Sequence, residues 1–212
     1  MALPNAILFP QSLLPLYIFE ERYRRMLADC LAGDRMFSVA LLQKDAAKLS
    51  DEFKPYDVAG LGIIRAAVGN DDGTSNIILQ GVTRVRICGY EYDKPYPMAQ
   101  IEPLETAAAD GVEADSLAAK VAQLLEIRAK LNMALPDHVA KYLTGLKDAD
   151  NLADLVSFTL LSDFYAKQEI LETIDLRQRL QRLIELLDKE MRQLLYWKKL
   201  QGKVEDKSIG WN

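Results

Sequence analysis

Hydrophobic and polar positions follow two different periods along the chain, and the change comes near Leu104. Before it, short runs of β-branched and aromatic residues are interrupted by glycine and proline, a pattern typical of strands and turns. After it, leucine and alanine recur at spacings of three and four among charged residues, the pattern of amphipathic helices. The sequence predicts an α+β protein, with residues 1–104 as a β-rich subdomain and residues 105–212 as a helical one.

The first half contains a series of short strand candidates and one early helix. The helix is predicted over residues 20–32, because its apolar positions fall on one face, and Gly33 follows as a left-handed cap. Two long strands are joined by a glycine-rich turn at 69–73, which is typical of a hairpin. The strand candidates are residues 6–9, 14–18, 36–43, 57–68, 75–80, 82–92 and 98–104. This pattern predicts a small, partly closed β-barrel.

Four helices are predicted in the second half. The first begins at Asp110 with a capping-box pattern, and a short second helix follows Pro136. A third helix carries apolar residues between Leu152 and Phe164. Thr173 caps a long last helix that has leucines along one side. We therefore expect a C-terminal helical bundle that ends in a long helix.

Composition and charge change this picture little. The 212 residues are 50% hydrophobic and carry 26 Lys and Arg against 31 Asp and Glu, which is the balance of a globular protein and not of a disordered chain. A net charge of −5 gives little support to binding of a phosphate backbone. No charged residue precedes Glu20, but three prolines in that stretch would break a spanning helix, so no membrane association is expected.

Residues with catalytic or metal-binding chemistry are few. Cys30 and Cys88 lie outside any metal-ligand spacing, which favours free thiols in a cytoplasmic protein. His138, the single histidine, follows an acid at a predicted helix start, where a solvated side chain is the usual role. Gly60 and Gly62 lack the third glycine of a dinucleotide-binding loop and are better explained by a bulge or a close backbone approach. We expect no enzyme activity, no cofactor and no metal.

Three arginines leave a nucleic-acid alternative open. Arg65, Arg84 and Arg86 could form a basic stripe across neighbouring strands with tyrosines nearby, as in a single-stranded nucleic-acid platform. The simpler interpretation places three charges on the solvated face of a half-buried sheet. The acidic total favours the simpler interpretation, so nucleic acid is disfavoured as a partner.

Five segments form a set that runs in order along the chain. Residues 14–23 are Leu-Pro-Leu-Tyr-Ile-Phe-Glu-Glu-Arg-Tyr, and residues 60–62 are Gly-Leu-Gly. Residues 79–87 are Leu-Gln-Gly-Val-Thr-Arg-Val-Arg-Ile, followed by a strand pattern at 96–102. Residues 167–172 are Lys-Gln-Glu-Ile-Leu-Glu, at a junction into the long helix. Taken together, the set resembles the amino-terminal domain of the Lon protease family.

This resemblance implies a PUA-like β-barrel, a fold named after pseudouridine synthases and archaeosine transglycosylases, and a role in recognising substrate proteins. In the full proteases the region precedes an ATPase and a Ser–Lys protease domain, so we expect a stand-alone recognition module that lacks both. The resemblance also implies structural roles for five motif residues. Pro15 and Gly81 would fix turns, Leu16 and Ile18 would face a core, and Arg84 would pin a loop.

Aromatic residues near the strand connections are the candidate binding residues. The expected partner is an unfolded or apolar polypeptide segment, which binds to exposed apolar patches. Because side chains alternate along a strand, Leu16 and Ile18 face one side and Tyr17 and Phe19 the other. The candidates are Tyr17, Phe19, Tyr92, Tyr96, Tyr196 and Trp197. The last two could also pack against a second subunit, which leaves a homo-oligomer open. The alternatives are an RNA-binding PUA-like module and a small-molecule sensor.

Overall fold

The computed structural model describes residues 1–43, 54–107, 111–131 and 136–200. Its strands are β1 (Ala2–Leu3), β2 (Leu13–Ile18), β3 (Met36–Leu41), β4 (Val58–Gly69), β5 (Ser75–Glu91) and β6 (Met98–Leu104). Its helices are α1 (Glu21–Ala32), α2 (Gly111–Lys130), α3 (Asp137–Thr144), α4 (Ala149–Leu160), α5 (Phe164–Glu172) and α6 (Leu176–Leu200). The α+β class, with strands before most helices, is confirmed.

The strands form one sheet in the order β1-β3-β4-β5-β2, with β6 also paired to β5. The first part of β5 pairs with β2, where Leu13 lies opposite Gln80, and its last part pairs with β6, where Arg84 lies opposite Leu104. The sheet is not closed, because no described strand joins β1 to β2. The expected partly closed barrel is therefore not confirmed. A closed barrel needs the strands at the two ends of the sheet to pair with each other. Here β1 lies at one end, and β2 and β6 both lie along one edge of β5 at the other.

The segment before β2 is a buried loop and not the predicted strand at 6–9. Its backbone lies so close to two glycines that no side chain fits there. A Cβ atom built on Gly60 would lie 2.0 Å from the Leu8 carbonyl oxygen, and one built on Gly81 would lie 1.9 Å from the Phe9 carbonyl oxygen. The close backbone approach predicted at Gly60 is confirmed.

Two predicted helix ends are wrong. Gly33 is not left-handed, since its φ is −111°, and the positive φ of 63° falls on Arg35 instead. Thr173 does not cap the last helix, because its hydroxyl donates to the Glu169 carbonyl at the end of α5. The cap is Asp175, whose carboxylate accepts the backbone N–H of Gln178 at 2.8 Å.

The helical half has one more helix than predicted within the described residues. The expected third helix is interrupted after Leu160, and α5 begins beyond Asp163, whose carboxylate accepts the backbone N–H of Tyr165. The short helix after Pro136 is confirmed as α3. The predicted cap at Asp110 lies outside the described residues.

The described residues form two large apolar cores and a small third one. In the first, α1 covers the inner side of the sheet, where Leu27 packs with Ile18 and Leu79. The second is the leucine-rich interior of the helices, and it also contains Phe9 and Leu41 from the β-rich half. The division at Leu104 stays a prediction, since side chains from both halves share this second core.

A buried ionic network joins the sheet to the helices. Arg84 on β5 donates from Nη1 to Asp154 Oδ2 on α4 at 2.9 Å, from Nη2 to the other carboxylate oxygen, and from Nε to the Leu171 carbonyl oxygen at 3.0 Å. Arg179 on α6 donates to the same Asp154 at 3.2 Å and to Asp150. Arg84, Asp154 and Arg179 are at most 3% exposed. Burial raises the pKa of the Asp154 carboxyl, while the two guanidiniums oppose that shift.

This network corrects the interpretation of the three strand arginines. Arg84 lies neither on a solvated face nor in a basic stripe, because its charge is paired inside the protein. It holds two helices, α4 and α5, and not a loop as the resemblance implied. Arg65 and Arg86 remain exposed.

We expect Asp154→Ala to lower the free energy of unfolding by about 3–5 kcal/mol, because it leaves the buried Arg84 guanidinium without a carboxylate and Arg179 with Asp150 alone. The matched control is Glu169→Ala, which removes the carboxylate of an exposed pair with Arg182 and should cost about 1 kcal/mol or less. Urea unfolding at neutral pH measures both. Equal losses in the two variants would contradict the structural role of the network.

We expect Gly60→Ala to destabilise the protein by about 3 kcal/mol, because the added Cβ atom collides with the Leu8 backbone. Gly69→Ala is the control, since a Cβ atom there meets nothing within 4 Å, and its effect should stay within about 0.5 kcal/mol. Thermal or urea unfolding of the two variants checks this. A neutral Gly60→Ala would show that the loop can move away at little cost.

Candidate peptide-binding surface

Most of the predicted aromatic residues are exposed, but they do not form one patch. Three neighbouring pairs are present, with ring centroids 5.9, 6.3 and 6.4 Å apart. They are Tyr17 with Phe19, Tyr90 with Tyr92, and Tyr196 with Trp197. The first two pairs lie near opposite ends of β5. Tyr17 lies on β2 opposite Asn76, near the start of β5, whereas Tyr90 lies on β5 itself, near its end and opposite Ala99. The third pair is near the end of α6, so the three pairs are separate surfaces.

Tyr96 is buried, and its place among the exposed candidates is wrong. Only 7% of the residue is exposed, and its ring belongs to the core beneath α1. Its hydroxyl donates to the Asp29 carboxylate on α1, and Lys94 donates to the same carboxylate at 2.6 Å. Tyr96 therefore fastens the loop before β6 to α1 and is not available to a partner.

The alternation predicted in β2 is confirmed. Ile18 is buried and Leu16 is half-buried toward the core, while Tyr17 and Phe19 are more than half exposed. Leu13 and Pro15 are also exposed, so every outward residue of this strand is apolar. A strand with one solvated face normally carries polar residues there. The outward side of β2 departs from this rule.

Apolar residues continue from β2 across the two neighbouring strands. Residues opposite one another in a sheet point to the same side. Pro15 lies opposite Ile78 on β5, which lies opposite Ala66 on β4. In the next row Val68 lies on the same side as Tyr17, with the exposed Asn76 of β5 between them. We call this set the outer apolar face: Leu13, Pro15, Tyr17, Phe19, Ala66, Val68 and Ile78.

Sequence reasoning found only two residues of the outer apolar face. Ala66, Val68 and Ile78 depend on the register between strands, which no local pattern contains. One local signal was available: residues 13–19 are apolar without interruption, so both sides of this strand had to be apolar. Since β2 packs only one side on α1, the other side had to face solvent.

Other kinds of site have little support among the described residues. They contain no group of three His, Cys, Asp or Glu side chains arranged to hold a metal ion. None of their helices is both long enough and apolar enough to cross a membrane. A partly open cavity between α2 and α6 has a volume of about 10 Å³, which is too small for the ligand of a sensor. A larger hollow of about 400 Å³ on α6 is open to solvent and lined by charged and polar residues, unlike the mostly apolar pockets that hold small molecules.

A comparison against known families gives the family of the chain. The family model of the ATP-dependent protease La (LON) substrate-binding domain matches residues 1–189. The chain belongs to this family. The resemblance found in the ordered set of sequence segments is confirmed.

Curated relatives of this Lon substrate-binding domain are full-length proteases. A Lon protease of Dictyoglomus thermophilum is 27% identical over 206 residues, which cover 97% of this chain and 26% of the relative. Lon protease 2 of Herpetosiphon aurantiacus is 28% identical over 191 residues, which cover 90% of this chain and 23% of the relative. The chain thus spans about a quarter of the length of these relatives.

Two solved structures share the fold of this Lon domain. The N-terminal domain of Mycobacterium avium complex Lon protease superposes with a TM-score of 0.70 at 18% identity, covering 89% of this chain and 96% of that one. A Lon N-terminal domain protein from Xanthomonas campestris gives a TM-score of 0.57 at 19% identity, covering 93% of this chain and 95% of that one. At these identities the likeness concerns the fold, and the PUA-like label stays a prediction.

We expect Asp29 to stabilise the folded state in a pH-dependent way. Hydrogen bonds from Lys94 and then Tyr96 lower the pKa of the Asp29 carboxyl below its usual value. A carboxyl with a lowered folded-state pKa contributes stability above its unfolded value of about 3.9, and this contribution is lost as pH falls through the folded value. The wild-type protein should therefore exceed Asp29→Asn in stability at pH 6, and the difference should vanish in strong acid.

Urea unfolding between about pH 2.5 and pH 7 measures this difference. Lys94→Met is the control, since it removes the hydrogen bond that lowers the pKa of Asp29 most. When Asp29→Asn is added to Lys94→Met, it should change the free energy of unfolding less than it does in the wild-type protein. A difference between wild type and Asp29→Asn that does not change with pH would contradict the assignment.

Proposed function

We propose that this Lon substrate-binding domain binds apolar segments of unfolded polypeptides through the outer apolar face and catalyses no reaction. One observation carries the proposal: six apolar side chains lie on the solvent side of three adjacent strands, with Phe19 directly after β2, and the other side of these strands is packed on α1. Exposed patches of this kind mark protein-interaction surfaces. Family membership supports a protein substrate as the partner.

The chemistry of the outer apolar face suits varied clients. Tyr17 and Phe19 supply the largest contact area, because aromatic rings are large and lose little freedom on binding. Asn76 and Gln80 of β5 lie in the same rows as Tyr17 and Leu13, and the apolar side chains around them favour clients of apolar character. Burying four side chains contributes about 8 kcal/mol, from which association removes about 4 kcal/mol or more. We therefore expect weak binding of single segments and stronger binding of clients that offer several.

The remaining exposed aromatics keep a secondary place in the proposal. Tyr92 on the β-rich side, and Tyr196 with Trp197 on α6, would add contacts for a long client or pack against a second copy of the chain. The cytoplasmic location expected from the isolated cysteines is part of the proposal. RNA binding is not favoured, since the buried Arg84–Asp154 pair leaves no stripe of three arginines at the surface.

We expect the protein to slow the aggregation of a chemically denatured client, and the double variant Leu13→Ser/Tyr17→Ser to lose most of this effect. Both side chains are more than half exposed, so the double variant should unfold at nearly the wild-type urea concentration. Light scattering during dilution of the client from denaturant is the measurement. Tyr92→Ala should weaken the effect less.

The matched control is Val112→Ser/Tyr142→Ser, which removes one aliphatic and one aromatic side chain from exposed positions on α2 and α3. It should retain the wild-type effect. An equal loss in the control would assign the effect to general surface hydrophobicity. If the wild-type protein bound no denatured client, the proposed function would be withdrawn.

A further inference from the structure

Arg128 on α2 is buried, and two of its nitrogen donors have no hydrogen-bond partner among the described residues. Only 8% of the residue is exposed, and the two donors are Nε and Nη1. A buried donor without a partner costs free energy, and the cost is larger when the donor is charged. Nearly all buried polar groups in proteins have a partner, which can be an ordered water or an ion. The two donors of Arg128 therefore point to a ligand of this side chain.

The carboxylate that pairs with Arg128 does not satisfy these donors. Arg128 Nη1 lies 3.5 Å from Glu190 Oε2 on α6, which is the distance of an ion pair but too long for a good hydrogen bond. The other oxygen of Glu190 accepts the backbone N–H of Ser162 at 3.2 Å and its hydroxyl at 3.1 Å. These two bonds hold Glu190 at the link between α4 and α5. Glu190 thus balances charge at Arg128 without accepting a hydrogen bond from Nε or Nη1.

The space beside Arg128 is small and mostly apolar. It is the partly open cavity between α2 and α6, which Arg128 lines together with Leu124, Leu125, Leu187 and Met191. Among these four neighbours only the sulfur of Met191 is an acceptor, and it is a weak one. The volume of about 10 Å³ excludes polyatomic anions such as phosphate or the carboxylate of a peptide. An anion that consists of one atom needs the least room.

The charges next to the cavity do not balance. Burial lowers the pKa of the Lys167 amine on α5, and the negative charge of Glu190 opposes that shift. Lys167 donates to the Phe158 carbonyl oxygen at 2.7 Å and takes part in none of the ion pairs that the structure gives for the described residues. Arg128 and Lys167 thus share one carboxylate, which leaves one positive charge in excess. A monovalent anion would neutralise it.

We propose that the cavity beside Arg128 binds a halide ion, chloride in most solutions, which accepts hydrogen bonds from Nε and Nη1 of Arg128. The excess of positive groups over carboxylates gives the sign of the ligand, and the size of the cavity selects a single atom. The two donors give it a fixed position between α2 and α6. This inference goes beyond the proposed function and does not depend on the outer apolar face.

Bound chloride would link the long helix to its neighbours. Arg128 belongs to α2 and Glu190 to α6, and Ser162 ties Glu190 to the link between α4 and α5. A ligand that binds only the folded state stabilises it increasingly as its concentration exceeds the dissociation constant. Stability should therefore depend on the kind of anion and not only on ionic strength. We expect a dissociation constant on the order of 10 mM, because Glu190 repels the ion that Arg128 attracts.

The first test measures binding through the line width of the chloride NMR signal in the presence of the whole protein. Bound chloride relaxes faster than free chloride, so the wild-type protein should broaden the signal, and bromide should reverse the broadening by competition. Arg128→Gln should lose most of it. The matched control is Arg177→Gln, because Arg177 also pairs α6 with α2, through Glu113 at 2.8 Å, but is more than half exposed. Equal broadening by the two variants, or none by the wild-type protein, would overturn the site.

The second test compares urea unfolding in about 200 mM sodium chloride and in sodium gluconate of the same concentration. Gluconate carries the charge of chloride but is too large for the cavity. We expect chloride to raise the urea midpoint by about 0.5 M relative to gluconate in the wild-type protein and in Arg177→Gln, and by less than about 0.1 M in Arg128→Gln. Equal midpoints of the wild-type protein in the two salts would assign the donors of Arg128 to water and overturn the proposal.

The third test uses Glu190→Gln. The amide keeps an acceptor for Ser162 but removes the negative charge that opposes the anion. We expect chloride to bind about five-fold more tightly to this variant. If Glu190 were itself the partner that Arg128 requires, the variant would be less stable than the wild-type protein and would bind chloride no better. That result would contradict the charge argument, and the proposal would fail.

A fourth measurement locates the ion and needs no variant, so it decides the question even if Arg128→Gln does not fold. Crystals of the wild-type protein grown in sodium bromide should give an anomalous peak within hydrogen-bond distance of Arg128 Nε. Bromide peaks at other places and none beside Arg128 would overturn the inference. A peak beside Arg128 without a chloride effect in solution would mean binding at crystal concentration only, and it would count against the site.

Discussion

The pairing of β5 is the constraint on which the rest of the structure depends. This strand is seventeen residues long, and it pairs with β4 over residues 75–86 on one side and with β2 and then β6 on the other. Its register decides that Ile78 joins Pro15 on the solvent side and that Leu79 points into the core under α1. The same strand then turns Arg84 toward the helices. A shift of one residue would exchange all of these sides.

The buried network around Asp154 gives specificity at a cost in stability. A buried pair of charges is rarely more stable than well-packed apolar residues of the same size. Its value here is positional, because Arg84 can satisfy its donors only if α4 and the end of α5 both lie at the sheet. Arg179 positions the start of α6 in the same way, because it donates both to the Thr173 carbonyl oxygen and to Asp154. Leucine-rich helices alone could pack in several registers, whereas the network permits one.

Features set by neighbours in the chain were predictable, and features set by distant neighbours were not. The helix α1, the hairpin and the bounds of β6 follow from period, turn residues and proline positions. Tyr96 was placed at the surface because nothing local shows that Asp29 on α1 would bind its hydroxyl. Arg84 was placed on a solvated strand face because its partner is seventy residues away. The outer apolar face was predictable only in part. The sequence of β2 shows that both of its sides are apolar, but it does not show which strands pair beside it.

The loop that lies against Gly60 and Gly81 has a consequence for the order of events during translation. Leu8 and Phe9 leave the ribosome well before the backbone that covers them, which includes positions more than fifty and seventy residues later. At about 5–20 residues per second, these side chains wait several seconds for their partners. The nascent chain therefore carries an uncovered apolar stretch through the synthesis of the whole sheet. A chaperone at the ribosomal exit would meet this stretch before any strand of the sheet has closed over it.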